Sequence, residues 1–386
     1  MPFPIFALAL TAFALGTAEL VPNGLLPLIA DDLSISVATA GWVTTSFALG
    51  AMIGGPIVAA ATLKLPRKPL VVALAVIFMV ANAATALSST LLMVGITRAL
   101  AGAMLGGFLG TAITLASGLV PLNKRGSAIA VVFTGFTISN VIGVPIGNLL
   151  GRAAGWESAF WIVSALAGLG VVAMLLVLPS RQPDTTAAEP GLGVLRNGPL
   201  WGSFLAIALS YGGLFVVYTY ISPFLTEITG ASSASVTWLL LLFGAGLIAG
   251  NTLGGRFADR SIVGTVAVIL AVLVLGLVAL SAFGTSVAVT LVLLVVLGAA
   301  GFGMVPPLQS YVIHVAGTSS AVVSALAAAA FNAGVALGSG LGGAALDAGT
   351  GYRMLPLAGT VVTVIGIAVF AFTYRRQQAL SPALAR

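Results

Sequence analysis

Apolar runs of about 20 residues follow one another along this chain, separated by short turns that carry most of the charge. At roughly 1.5 Å of rise per residue, a helix of that length crosses the hydrocarbon layer of a bilayer. The pattern predicts twelve such helices, near residues 3 to 28, 39 to 62, 69 to 89, 91 to 117, 126 to 150 and 156 to 179, then 200 to 222, 235 to 256, 263 to 284, 286 to 312, 319 to 343 and 354 to 374. One long polar connection, Pro179 to Pro199, carries Arg181, Asp184, Glu189 and Arg196 and splits the series in two. It gives an N-terminal six-helix bundle at 1–179, a cytoplasmic linker at 180–199 and a C-terminal six-helix bundle at 200–386. The expected fold class is an all-α polytopic membrane protein with twelve transmembrane helices.

Composition agrees. Of 386 residues, 59% are hydrophobic and 6% charged, against about 25% charged in soluble domains. The mean hydropathy of +1.17 likewise excludes a water-soluble globule with a single anchor. A net charge of +6 would suggest nucleic acid in a soluble protein. Here it reports topology. Twelve of the fifteen basic residues fall on one side of the predicted helices: Lys64, Arg67, Lys68, Lys124, Arg125, Arg181, Arg196, Arg256, Arg260, Arg375, Arg376 and Arg386. Short loops rich in Lys and Arg stay cytoplasmic, so both termini are expected inside, with no nucleic-acid partner. Arg152 and Arg353 fall outside, together with Asp31, Asp32, Glu157, Glu227 and Asp347. The amino terminus lacks the basic region and cleavage site of a secretory signal, so the first helix is expected to be retained.

Two ionisable groups lie inside the apolar runs. Glu19, in Gly16-Thr17-Ala18-Glu19-Leu20-Val21-Pro22-Asn23-Gly24, sits roughly 18 Å of helix before Asp31 and Asp32. Arg98 lies in Gly95-Ile96-Thr97-Arg98-Ala99-Leu100-Ala101-Gly102 of the fourth helix. Charged groups at such depth are expensive and usually mark a proton or substrate path. Arginine cannot shed its charge, so Arg98 needs a partner, and Glu19 is the economical one. The competing readings are a protonated Glu19 packed against a neighbouring helix and an Arg98 held by carbonyls of the first helix. In the fifth helix, Gly143-Val144-Pro145-Ile146-Gly147 predicts a bend pressed against a neighbour. Glycines four residues apart, such as Gly246, Gly250 and Gly254, predict close helix contacts.

These features together, with Gly254-Gly255-Arg256-Phe257-Ala258-Asp259-Arg260 after the eighth helix, resemble the major facilitator superfamily. The Gly16 to Leu20 motif followed by Gly24-Leu25-Leu26-Pro27, with Pro66-Arg67-Lys68, Gly155-Trp156 and Phe160-Trp161, is similar to bacterial drug:proton antiporters of the chloramphenicol-efflux and arabinose- or sugar-efflux type. The resemblance implies the major facilitator fold, with two pseudo-symmetric bundles rocking about a central cavity and binding near mid-membrane. It also implies gating or structural roles for Gly143, Pro145, Gly147, Gly255, Arg256, Asp259 and Arg260. Two departures stand out. The turn from Gly54 to Lys68 lacks the acidic residue that many relatives carry there, and Val144 interrupts the Gly-Pro pair common to antiporters.

Candidate substrate-binding residues are Asn23, Asn140, Tyr211, Phe215, Tyr218, Met304, Gln309 and Asn332, with Tyr220 a further possibility. Tyr211, Phe215 and Tyr218 stand three and four apart, giving one helix an aromatic wall suited to flat apolar ligands. The bland reading of these rings is helix-packing core or interfacial belt. The expected activity is proton-coupled export of small apolar molecules, with Glu19 taking a proton from outside and releasing it inside. The alternative is export of a sugar or other small metabolite. An enzyme is not expected: there is no cysteine, one histidine, His314, near a helix end, and no nucleophile elbow. Expected partners are substrate, protons and the lipid bilayer. A monomer in the bacterial inner membrane is expected, with no metal or cofactor beyond the proton gradient.

Overall fold

The computed structural model describes residues 2–62, 65–121, 124–179, 197–317 and 321–380, the side chains at 59, 60, 321, 322, 379 and 380 excepted. Lys64, Arg181, Asp184, Glu189, Arg196 and Arg386 lie outside the described residues, as does most of the expected linker at 180–199. All regular structure among the described residues is helical. Twelve helices are long and apolar enough to cross a membrane, as the apolar runs predict. They are α1 (Phe3–Asp32), α2 (Val37–Val58), α3 (Arg67–Ala86), α4 (Leu91–Gly118), α5 (Arg125–Ala154) and α6 (Glu157–Val177), then α7 (Gly198–Tyr218), α8 (Ser233–Ala258), α9 (Ile262–Phe283), α10 (Val287–Ala316), α11 (Val323–Asp347) and α12 (Tyr352–Gln378).

Local chemistry sets several ends. Thr90 and Ser232 cap α4 and α8 by accepting from the backbone N–H groups of Met93 and Ser235. α1 outlasts its apolar run and carries Asp31 and Asp32, both exposed, because a helix can continue past the hydrocarbon into water. Two helices are irregular where proline removes a backbone donor. α5 widens into a π turn at Ser139–Gly143, just ahead of Pro145. α10 is interrupted at Met304, just ahead of Pro306.

The chain forms two compact units, Met1–Ala188 and Glu189–Arg386. Each packs its six helices by the same scheme. In the first, α2 lies along α4, α1 along α5 and α6, and α3 along α6. In the second, α8 lies along α10, α7 along α11 and α12, and α9 along α12. The repeat extends to single residues. Gly50 faces the Ala99 carbonyl and Gly102 the Phe47 carbonyl. At a constant 196 residues further on (Gly50 to Gly246, Ala99 to Val295), Gly246 faces the Val295 carbonyl and Gly298 the Phe243 carbonyl. Lipid tails are as apolar as leucine, so these helices gain little from hydrophobic burial and rely on close backbone approach. A Cβ at any of the four glycines would run into backbone atoms of the facing helix.

Polar ties fix the ends of the first unit. Lys68 Nζ, at the start of α3, donates to the Leu175 and Leu178 carbonyls, at the negative end of the α6 dipole. At the opposite end of α6, Trp156 Nε1 donates to Asp32 Oδ2 at 3.0 Å, and Arg152 Nη2 donates to the Gly24 carbonyl at 2.9 Å.

The seam can be tested with one pair of substitutions. Gly246→Val is expected to destabilise the detergent-solubilised protein by about 1–3 kcal/mol, the usual range for overpacking. Gly110→Ala, at a helical position with open space where a Cβ would stand, should leave thermal unfolding unchanged.

Candidate functional site

Four helices of the first unit converge on Arg98. The residue is fully buried, at 0% exposure, in the first third of α4. Its Nε donates to the Val43 carbonyl of α2 at 3.3 Å. Its guanidinium carbon lies 4.2 Å from the ring centre of Phe47, also on α2, and 5.5 Å from that of Phe160 on α6. Both are cation–π distances, and such contacts strengthen as water is excluded. Nη1 and Nη2 are buried and have no hydrogen-bond partner among the described residues. The opposite charge acting on Arg98 is Glu19 on α1, which interacts with it electrostatically without a direct hydrogen bond. The carbonyl that holds Arg98 thus belongs to the second helix, not the first.

Glu19 stands where α1 is weakened and polar. Pro22 and Pro27 lie within the helix, and each removes an N–H from the ladder, so the Ala18 and Asn23 carbonyls lose their usual partners. Glu19 keeps partial exposure, whereas its neighbours Ala18 and Leu20 are buried. One turn further along, buried Asn23 accepts from Thr44 Oγ1 of α2 at 2.7 Å, while its Nδ2 has no partner. The site therefore has a carboxyl that can carry or lose a proton and a cation that cannot. It also has three side-chain nitrogens, Arg98 Nη1 and Nη2 and Asn23 Nδ2, with no acceptor among the described residues. Its net charge is zero when Glu19 is ionised and positive when Glu19 is protonated.

Gly143, Pro145 and Gly147 line the bend of α5 against α1. A Cβ at Gly143 would strike Thr17, and one at Gly147 would strike Val21, so these glycines let α5 lie directly on the helix that carries Glu19. Asn140, inside the π turn, is buried; its Nδ2 donates to the Phe136 carbonyl at 3.3 Å and its Oδ1 has no partner. π turns occur often at functional positions.

In the second unit the predicted aromatic wall is a packed cluster. Tyr211, Phe215 and Tyr218 are buried at 6%, 0% and 4% exposure. Tyr211 meets Phe215 at 5.0 Å, Phe331 of α11 at 5.2 Å and Phe302 of α10 at 5.8 Å between ring centres. Tyr218 stacks on Phe243 of α8 at 4.1 Å and 20°. Met304 is fully buried at the interruption of α10, and Gln309 is half-buried on the segment that follows. Asn332 is half-buried, with Nδ2 donating to the Ala328 carbonyl at 3.0 Å and Oδ1 unpartnered. Tyr220 is buried, and its hydroxyl donates to the Ser339 carbonyl at 3.0 Å. At the end of α8, Arg256, Asp259 and Arg260 are exposed, with Arg260 lying 6.0 Å from the Phe257 ring centre, and Gly255 approaches only Pro306.

Phe160 stands out only in the Phe160-Trp161 motif, and Thr44, Val43 and Phe47 are not legible as site residues, because threonine, valine and phenylalanine in an apolar run look like any packing residue. The same holds for Phe243, Phe302 and Phe331. Only a three-helix contact reveals them. Among the described residues no cluster of His, Asp or Glu could hold a metal.

Comparison with known proteins bears out the resemblance read from the sequence. The profile of the Major Facilitator Superfamily matches residues 8–327 and 203–385. The chain is 36% identical over 379 residues to the inner membrane transport protein YdhP of Escherichia coli K12, covering 97% of each. It is 34% identical over 380 residues to the chloramphenicol resistance protein of Streptomyces lividans, covering 96% of each. Its fold is similar to that of a bacterial homologue of the human lysosomal transporter Spinster, crystallised inward-facing and unoccupied. The TM-score is 0.77 at 18% identity, over 97% of this chain and 96% of the other.

Thr44→Val would leave both polar atoms of buried Asn23 without a partner. A loss of about 1–3 kcal/mol in stability is expected, the cost of an unsatisfied buried group, read as a lower melting temperature. An unchanged melting temperature would mean the Asn23–Thr44 bond does not hold α1 to α2.

Proposed function

The chain belongs to the Major Facilitator Superfamily, whose members are membrane transporters and not enzymes, and from that membership we propose that it exports small, largely apolar molecules in exchange for protons. The observation that carries this reading is the pairing of a partly accessible carboxyl, Glu19, with a fully buried guanidinium, Arg98. With Glu19 ionised the two charges cancel, and an apolar molecule can lie beside them at little cost. With Glu19 protonated, the charge of Arg98 is uncompensated and disfavours an apolar neighbour. Substrate and proton therefore exclude one another, which is the condition for exchange. In the outward-open state Glu19 accepts a proton; in the inward-open state incoming substrate favours its release.

Three further observations support the reading. The relative from Streptomyces lividans is a chloramphenicol resistance protein, and the one from Escherichia coli is an inner membrane protein. The second unit holds a packed cluster of rings at Tyr211, Phe215 and Tyr218 and, at the interruption of α10, a methionine, Met304, whose flexible thioether can adapt to varied shapes. The described basic residues Arg67, Lys68, Lys124, Arg125, Arg256, Arg260, Arg375 and Arg376 lie at the ends that a cytoplasmic orientation of both termini would place inside. The protein then works as a monomer in the inner membrane, driven by the proton gradient alone.

Reconstitution into liposomes with an imposed pH gradient tests this, using chloramphenicol, other apolar antibiotics and sugars as probes. Uphill movement of an apolar probe is expected, together with its loss in Glu19→Gln while probe binding persists. Undiminished pH-driven movement in Glu19→Gln would refute the proton site, and movement of sugars alone would refute the substrate class.

A further inference from the structure

The lipid-facing side of the second unit carries a groove between α7 and α12 with a cavity volume of about 420 Å³. Its floor is shallow where the helices touch: Gly202 lets α7 lie directly on Thr373 of α12, where a Cβ would come 2.5 Å from Thr373 Oγ1, and Ala368 adds only a methyl group. The walls are Leu205, Ile365 and Phe372, exposed by 50%, 49% and 66%. In a membrane-spanning unit the medium that covers such side chains is acyl chain.

One end of the groove is different. α7 and α12 run antiparallel, since Gly202 meets Thr373 and Gly213 meets Thr363, so the first turn of α7 lies beside the last turns of α12. There Arg376 lines the groove, the one charged side chain among its described lining residues. Arg375 adjoins it, and the α7 N-terminus adds the positive end of its dipole. Trp201, 53% exposed in the same first turn, suits the headgroup level of a bilayer. An apolar trough ending in a cationic mouth at the membrane surface is complementary to a molecule with an apolar chain and an anionic head.

We propose that this groove is a binding site for an anionic phospholipid, with one acyl chain lying along Gly202 and Ala368 and the phosphate held by Arg376. The basic mouth favours a headgroup of net negative charge over a zwitterionic one, whose ammonium would meet the same cations. The leaflet is the cytoplasmic one if the orientation above holds; the binding itself does not depend on that.

Native mass spectrometry of the full-length protein, titrated in detergent with phosphatidylglycerol or phosphatidylcholine, tests the proposal. Wild type should retain phosphatidylglycerol in preference to phosphatidylcholine. Arg376→Gln, at an exposed tip, should weaken phosphatidylglycerol about fivefold, the step expected for one basic residue at an anionic surface. Arg375→Gln should weaken it less than Arg376→Gln. Ala368→Phe, a change on the exposed face that fills the trough, should abolish the preferred binding while the protein still elutes as wild type on size exclusion. Equal retention of both lipids, equal effects of the two arginine variants, or undiminished binding in Ala368→Phe would each overturn the site.

Discussion

A fully buried guanidinium is the constraint around which the first unit is arranged. Arg98 cannot become neutral at any accessible pH, so its burial must be compensated by what surrounds it. The protein provides little: one carbonyl, from Val43, the faces of Phe47 and Phe160, and the field of Glu19. Two of its nitrogens are left without acceptors. In an ordinary packed core such a residue would be an unrelieved cost. Under the exchange proposed above, a carboxyl with partial access turns that cost into a means of coupling, because the cost of the charge depends on whether Glu19 holds a proton.

The scaffold that keeps this charge in place is repetitive, and the chemistry is not. Glycine contacts along α2 and α4 recur along α8 and α10 at the same spacing, so one packing solution serves both units. The position 196 residues after Arg98 is Leu294, buried and apolar. The equivalent helix pair of the second unit has leucine where the first unit has the cation, and Phe243, the counterpart of Phe47, instead stacks on Tyr218. The two units thus share their glycine seams and differ in what they bury, an ionisable pair in the first and a cluster of rings in the second.

How much of this is readable along the chain follows from how each feature announces itself. Twelve helices stand out because apolar length is a direct consequence of bilayer thickness. Glu19 and Arg98 stand out because an ionisable side chain in an apolar run is costly and more often marks a path than a packing position. The aromatic wall is different. Tyr211, Phe215 and Tyr218 do share one face of α7, as their spacing requires, but whether that face is open or covered depends on Phe243, Phe302 and Phe331, which come from three other helices. The π turn at Ser139–Gly143 and the bond from Thr44 to Asn23 are equally silent in sequence, since each is decided by what lies opposite.

The central claim is that the Glu19 carboxyl changes its protonation within the environment set by Arg98. Infrared difference spectroscopy of the purified protein across a pH series measures this directly, through the carbonyl stretch of the protonated carboxyl. The account predicts a reversible carboxyl band that vanishes in Glu19→Gln and moves in Arg98→Lys. A pH series in which no such band is lost on replacing Glu19 would contradict it.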